Sequence, residues 1–390
     1  MPAADVVVVG GGVIGSAVAY WLRRFGVGVT VIERDTTYAT ASSSLSASSI
    51  RQQFSTPANI ALSQFGIGFL REAAEHLQVD GDGPALGLRE PGYLYLASPD
   101  GLPVLQANHA VQRAQGVQVA LLDPPALCAR FPWLNVQGLA AGSLGLEGEG
   151  WFDGPALAAA FRRKARAMGA VWRQAEVVGF GRDGARIASV QLANGSAVPC
   201  GAVVNAAGPR ARAVAAMAGV ALPVEARKRS VFVLSCRTPL PGCPLVIDTS
   251  GVWVRPEGDR YLAGWSPPGD SGDDAETLDL HVDHHLFEDV VWPALAHRIP
   301  PMEEVRLQGS WAGHYEMNTF DHNALLGPVG GVPNLLFANG FSGHGMQQAP
   351  GVGRGIAELL AFGEYRTLDL SALSVTRLAA MEPVLERCVI

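Results

Sequence analysis

Lysine is nearly absent from this chain. Of 29 cationic residues only Lys164 and Lys228 are lysines, so any mechanism that needs a catalytic lysine has two candidates. Cysteine is almost as scarce: Cys128, Cys200, Cys236, Cys243 and Cys388 lie scattered, with no C-x-x-C pair. An odd, unpatterned set of this kind argues against a disulfide framework and points to reduced thiols in a cytosolic protein. No basic tract exists and the net charge is −7, which argues against a nucleic-acid partner. No apolar run reaches the length of a membrane span, and no basic segment followed by an apolar one precedes the first strand, so a cytoplasmic protein without a transmembrane segment is expected. No internal repeat is visible. What remains is 390 residues, 48% hydrophobic and 17% charged, enough for a large core and for two domains.

Glycine, by contrast, is plentiful and gathers in two places. After the β-branched run Val6 to Val9, which reads as a parallel strand buried on both faces, Gly10, Gly12 and Gly15 spell G-x-G-x-x-G. Ala17, Val18, Trp21, Leu22 and Phe25 follow at helical spacing, and Gly26 ends that helix. A second strand, GVGVTVIE, closes on Glu33, 18 residues beyond Gly15. Strand, turn, helix and acid together form a dinucleotide fingerprint: the glycines permit a tight turn and a close approach of pyrophosphate to the helix N-terminus, and the acid receives ribose hydroxyls. A plain glycine turn in a βαβ unit is the alternative, and it leaves the acid unexplained. GFGRDG at 179–184 matches the same pattern but precedes ARIASVQLANGSAV, which alternates like strands around an Asn-Gly turn; it reads as a hairpin turn with no helix for a phosphate. One fingerprint suggests one dinucleotide, reduced by the substrate itself.

The second gathering is ANGFSGHGMQQAPGVGRGIAELL at 338–360, a glycine loop opening a helix. Between the two lie ATASSSLSASSIRQQF at 39–54, either a serine linker or a lining of small residues beside the cofactor, and CGAVVNAAGPRA at 200–211, a short buried strand ending in small residues. The middle segments 87–98, 227–236 and 249–265 alternate and turn at glycine and proline, as antiparallel strands do. HVDHH places His281 and His285 one helical turn apart, but LDLHVDHHLFEDVVWPALAHRI reads as a surface helix running to Pro293 with no third ligand, so no metal is expected.

VVVVGGGVIGSAVAYWLRRFG, VIERD, GWFDGPALAAAF, VVNAAGPRA, SWAGHYE and NGFSGHGMQQAPGVGR together resemble the D-amino-acid oxidase superfamily of FAD-dependent oxidoreductases, which includes glycine oxidase, sarcosine oxidase and dimethylglycine dehydrogenase. RDTTYATASSSLSASSIRQQFS and the last glycine loop are most similar to a subgroup that includes a mitochondrial flavoprotein tied to respiratory complex I assembly. The resemblance implies an α/β fold. A discontinuous Rossmann-like FAD-binding domain of the glutathione-reductase type spans 1–80, 150–222 and 318–390. An inserted α+β substrate domain on a mainly antiparallel sheet spans 81–149 and 223–317.

The resemblance also implies where FAD is held. Gly10, Gly12, Val13, Ile14, Gly15, Glu33 and Arg34 would grip its adenosine and pyrophosphate half, with Ser42, Ser43, Ser44, Ser46, Val177, Ala207 and Gly208. Gly313, Gly340, Gly343, His344, Gly345, Met346 and Gln347 would wrap the flavin ring, the last helix aiming its N-terminus at the pyrimidine edge. Sarcosine oxidase tethers FAD through a cysteine where this chain has Gly313, and dimethylglycine dehydrogenase through a histidine that residues 39–50 lack; FAD is therefore expected to be non-covalent. For the substrate, the resemblance makes Arg51 a carboxylate-binding arginine, sets Tyr315 and His344 beside the ring, and puts Gln347 where sarcosine oxidase has a lysine. Neither lysine falls where sarcosine oxidase activates oxygen, so oxygen and an electron-transfer acceptor both stay open. The expected reaction is hydride removal from the carbon next to the nitrogen of a small or N-substituted amino acid. A 2-hydroxy-acid dehydrogenase and an assembly protein that keeps FAD for stability are the alternatives. A monomer is the working expectation.

Overall fold

The computed structural model describes residues 6–267 and 278–388. Val6–Val9 lies inside a six-stranded sheet, in spatial order Leu325–Val329, Val332–Asn339, Ala202–Asn205, Val6–Val9, Val29–Glu33 and Val171–Gln174. Neighbours run parallel except for the edge hairpin of the first two. Successive side chains on a strand point to opposite faces. Val6 and Val8 accordingly join the apolar cluster under the helices, while Val7 and Val9 join the cluster on the other face. The run of four valines is thus buried on both sides, as a parallel strand requires.

On the first face the helix Val13–Arg24 packs against the helices Gly154–Ala167 and Gly345–Phe362. Its crossing with the last helix is close: a Cβ on Gly353 would stand 2.7 Å from Ala17, and the Trp21 indole donates to the Pro350 carbonyl at 3.0 Å. The other face carries a three-stranded antiparallel sheet, Val177–Asp183, Arg186–Leu192 and Ala197–Pro199. GFGRDG belongs to this sheet. Most of it is strand rather than turn, with the reversal made at Gly184, φ +58°, and no helix follows.

The second sheet has eight strands in the order Arg306–Asn318, Val224–Ser235, Arg260–Trp265, Val252–Glu257, Leu245–Ile247, Tyr93–Ala97, Ala141–Gly145 and Val119–Leu122. All neighbours are antiparallel except Leu245–Ile247 against Tyr93–Ala97. The segment around HVDHH departs from the sequence reading. A π-helical turn, Phe287–Val291, leads into the α-helix Trp292–Arg298. Pro293 sits in the first turn of that helix, where its missing N–H is tolerated, so the helix runs past it. His281 precedes the helical residues and shares no helix face with His285.

Candidate active site

Both sheets line one cavity of about 480 Å³. The fingerprint forms one end. Gly10 has φ +98°, and a Cβ there would stand 2.4 Å from the Ala206 carbonyl oxygen; on Gly15 it would stand 1.9 Å from the Gly10 carbonyl oxygen. The first glycine is needed for its backbone angle and both for close approach. Glu33 accepts from the Gly11 amide at 2.8 Å and, through its other oxygen, from the Asp35 amide at 2.9 Å. Each oxygen keeps a lone pair for a hydroxyl donor. Arg34 and Arg210 stand nearby, and burial and the charge of Arg34 hold Arg210 below the usual guanidinium range.

Two helix N-termini open on this cavity. The helix after Gly12 and the helix after His344 both lack a side-chain cap and have no acid in the first turn. Their free N–H groups and positive dipole ends are unneutralised by the protein and suit an anionic or electron-rich ligand. The serine-rich segment lines the wall between them: Thr40, Ser42, Ser43, Ser46 and Ser48 reach the cavity. Gly313 faces this segment, with a Cβ position 2.9 Å from Leu45. Gly343 has φ +90° in the second loop. A glycine cradle at one end, an acid with spare lone pairs, and two uncapped helices on one cavity fit FAD. No cysteine or lysine lines that cavity among the described residues.

Gly10, Gly12, Val13, Ile14, Glu33, Arg34, Ser42, Ser43, Ser46, Ala207, Gly208, Gly313, Gly343, His344, Gly345, Met346 and Gln347 all line it, as do Arg51 and Tyr315. Four expected cofactor residues do not. Gly15 lies against the Gly10 carbonyl and the Val8 side chain, where a Cβ would not fit. Val177 is buried in the apolar cluster of the opposite face. Ser44 holds a local turn to the Ala41 carbonyl. Gly340, at φ +74°, packs against Asn318 and Val224.

Arg51 is 1% exposed, and its guanidinium points largely into the protein. Nη1 donates to the Gln53 carbonyl at 2.6 Å; Nη2 donates to His344 Nε2 at 2.8 Å and to the Cys388 carbonyl. The group stacks over Phe54 at 4.0 Å. The expectation of a fork held fully open for a substrate carboxylate needs correction: three of its five N–H groups already have acceptors. Gln347 is likewise committed, its amide oxygen accepting from the Arg51 amide at 2.9 Å and from Ser63 at 3.2 Å. A guanidinium has no lone pair, so His344 Nε2 is the acceptor and its proton sits on Nδ1. Burial, then the charges of Arg51 and His322, holds His344 well below the usual imidazole range; it is a neutral ring.

Two features beneath Arg51 were not legible in the sequence. Glu149, fully buried, accepts from the Gln52 and Gln53 amides at 2.6 and 3.1 Å and from the Gln53 side chain at 2.8 Å. Burial, only partly offset by those bonds, pushes its carboxyl up to about 7. The extended segment 384–388 straps across from the other side. Glu386 accepts from Ser55, Thr56 and Asn59 at 2.6 to 2.9 Å, and Val384 donates to Asp321 at 3.0 Å.

On the eight-stranded sheet, Arg229, Val231, Ile247 and Trp253 line the cavity with Tyr93 and Tyr315. Arg229 lies directly opposite Gly313, and its guanidinium is 5.3 Å from the Tyr315 ring. Strand alternation put 227, 229 and 231 on one face, but only the pairing of 224–235 with 306–318 turns that face to the cavity. Lys228 points away and pairs with Asp279 at 2.8 Å.

A family model described as FAD dependent oxidoreductase matches residues 5–359. FAD-dependent oxidoreductase domain-containing protein 1 of Xenopus laevis is 44% identical over 99% of this chain and 85% of its own length. Among solved structures, L-proline dehydrogenase from P. horikoshii superposes with a TM-score of 0.85 at 26% identity, covering 97% of this chain and 99% of that one. Glycine oxidase from Geobacillus kaustophilus superposes with a TM-score of 0.81 at 26% identity, covering 96% and 98%.

Proposed function

Because this chain belongs to the FAD dependent oxidoreductase family and is an FAD-dependent oxidoreductase of the amino-acid oxidase and dehydrogenase superfamily, we propose that it oxidises the carbon–nitrogen bond of a small or N-substituted amino acid. FAD, when bound, supplies the hydride acceptor at its N5. The protein's part is to bind, orient and shield. The carrying observation is the single cavity that joins the fingerprint to an end built from Tyr93, Tyr315, Trp253 and a neutral His344. Aromatic and apolar walls around a few fixed polar groups are what a small-molecule site requires. His344 is locked as an acceptor from Arg51, so its role is to fix the loop that carries the last helix N-terminus. The names of the two solved relatives, each an amino-acid enzyme, support the same reading. FAD is held without a covalent bond, and the acceptor for its electrons is oxygen or an electron-transfer partner.

The test is anaerobic mixing of the FAD-loaded protein with glycine, proline, sarcosine, dimethylglycine and larger N-alkyl amino acids, beside matched 2-hydroxy acids. Bleaching of the flavin band by at least one amine, and by no 2-hydroxy acid, is expected. Bleaching by the 2-hydroxy acids alone, or by neither set, overturns the reading.

A further inference from the structure

Four arginines line the cavity: Arg34, Arg51, Arg210 and Arg229. The first and third stand at the fingerprint end, and Arg51 gives three of its five N–H groups, both of those on Nη2 among them, to two carbonyls and an imidazole. Arg229 differs from all of them. Its one hydrogen bond runs from Nη1 to the Lys228 carbonyl at 2.9 Å. Its Nε lies buried without an acceptor, and no carboxylate pairs with it among the described residues. A buried guanidinium N–H with no partner is costly and rare in folded proteins. Nη2 has no acceptor either and is not among the buried atoms, so it is the group open to a bound anion, and a planar fork favours a carboxylate.

The strand register shows what such a carboxylate would be attached to. Val231 stands one pleat beyond Arg229 on the same face. Val231 and Trp253 both pair with Gly264 between them, and Trp253 in turn pairs with Ile247. A Cβ on Gly264 would come 2.7 Å from the Trp253 indole, so the ring lies flat across the glycine. Val231, Trp253 and Ile247 therefore form a continuous apolar floor beginning beside Arg229.

We propose that Arg229, and not Arg51, receives the substrate carboxylate, and that the floor of Val231, Trp253 and Ile247 selects an amino acid with an apolar substituent. This rests on the function proposed above for the identity of the molecule; the carboxylate subsite itself is tested without turnover. Phenylacetate and its uncharged analogue phenylacetamide are titrated calorimetrically into the FAD-loaded protein. Wild type binds phenylacetate more tightly than the amide. Arg229→Gln weakens phenylacetate about 10- to 100-fold, the worth of a charge-assisted pair, and leaves the amide and the FAD content unchanged. Arg229→Lys, which keeps the charge and loses the fork, falls between. Any of three results overturns the proposal: no preference for the carboxylate in wild type, an unchanged phenylacetate affinity in Arg229→Gln, or an equal loss for both ligands. A protein that keeps the carboxylate preference but is bleached by no amine retains this subsite and loses the function proposed above. A protein bleached by amines in which Arg229→Gln changes nothing keeps the function and loses the subsite.

Discussion

Glu149 has no solvent exposure, and its hydrogen bonds and the attraction of Arg51 lower its pKa less than burial raises it. The sign of the consequence follows from linkage. A carboxyl raised from 4.5 to about 7 in the fold binds a proton more readily folded than unfolded. Stability is therefore lost as pH rises through that window, by about 3 kcal/mol at completion. Glu149→Gln cannot ionise. Its melting temperature relative to wild type should rise between pH 5 and pH 7.5, and a difference that stays constant across that range would refute the assignment. Glu316, also pushed by burial to about 7, is present in both proteins and cancels. At this scale the sequence was only half readable. Arg51 was recognisable as an important residue, since it ends the serine-rich segment. Its distant partners were not, because His344 and Cys388 converge on it only through the fold. Arg229 sits in an ordinary alternating strand, and nothing local marks it.

The fingerprint was legible at the scale of elements because its information is local: four valines, three glycines, a helical period and an acid lie within one βαβ unit. The decoy was legible for the same reason, since an Asn-Gly turn follows it and no helix does. Gly10→Ala places a Cβ 2.4 Å from a backbone oxygen at φ +98°, and the purified protein should carry little FAD, read from its 450 nm absorbance per mole of chain. Gly184→Ala is also strained, at φ +58°, but opens on empty space. It should cost about 1 kcal/mol of stability and keep full FAD occupancy. Equal loss of FAD in the two variants would mean that the cofactor loop has been misidentified. The helix past Pro293 was missed because proline usually ends a helical pattern; here the π-turn before it makes residue 293 a first-turn position instead.

At the scale of the whole molecule, both sheets contribute to a cavity with no cysteine or lysine on its wall among the described residues. On that wall a Cβ at Gly313 would stand 2.9 Å from Leu45. The holoprotein should purify yellow, and acid precipitation should leave the FAD in the supernatant; yellow that stays with the pellet would contradict a dissociable cofactor. The second sheet was readable in outline, because period-two alternation marks its strands. Its single parallel pairing was not, because that depends on which strands meet.

The strap at 384–388 has a consequence in time. Arg51 and the carbonyl it holds are 337 positions apart, and closing so long a loop delays the contact although it adds little to its free energy. A chain leaving the ribosome carries a finished fingerprint long before Ser55, Thr56 and Asn59 find the carboxylate of Glu386. Nucleotide can be gripped early at one end, while the other end stays unsealed until residues 384–388 have emerged. Gripping of the nucleotide end and sealing of the substrate end are thus separate events, and only the second waits for the strap.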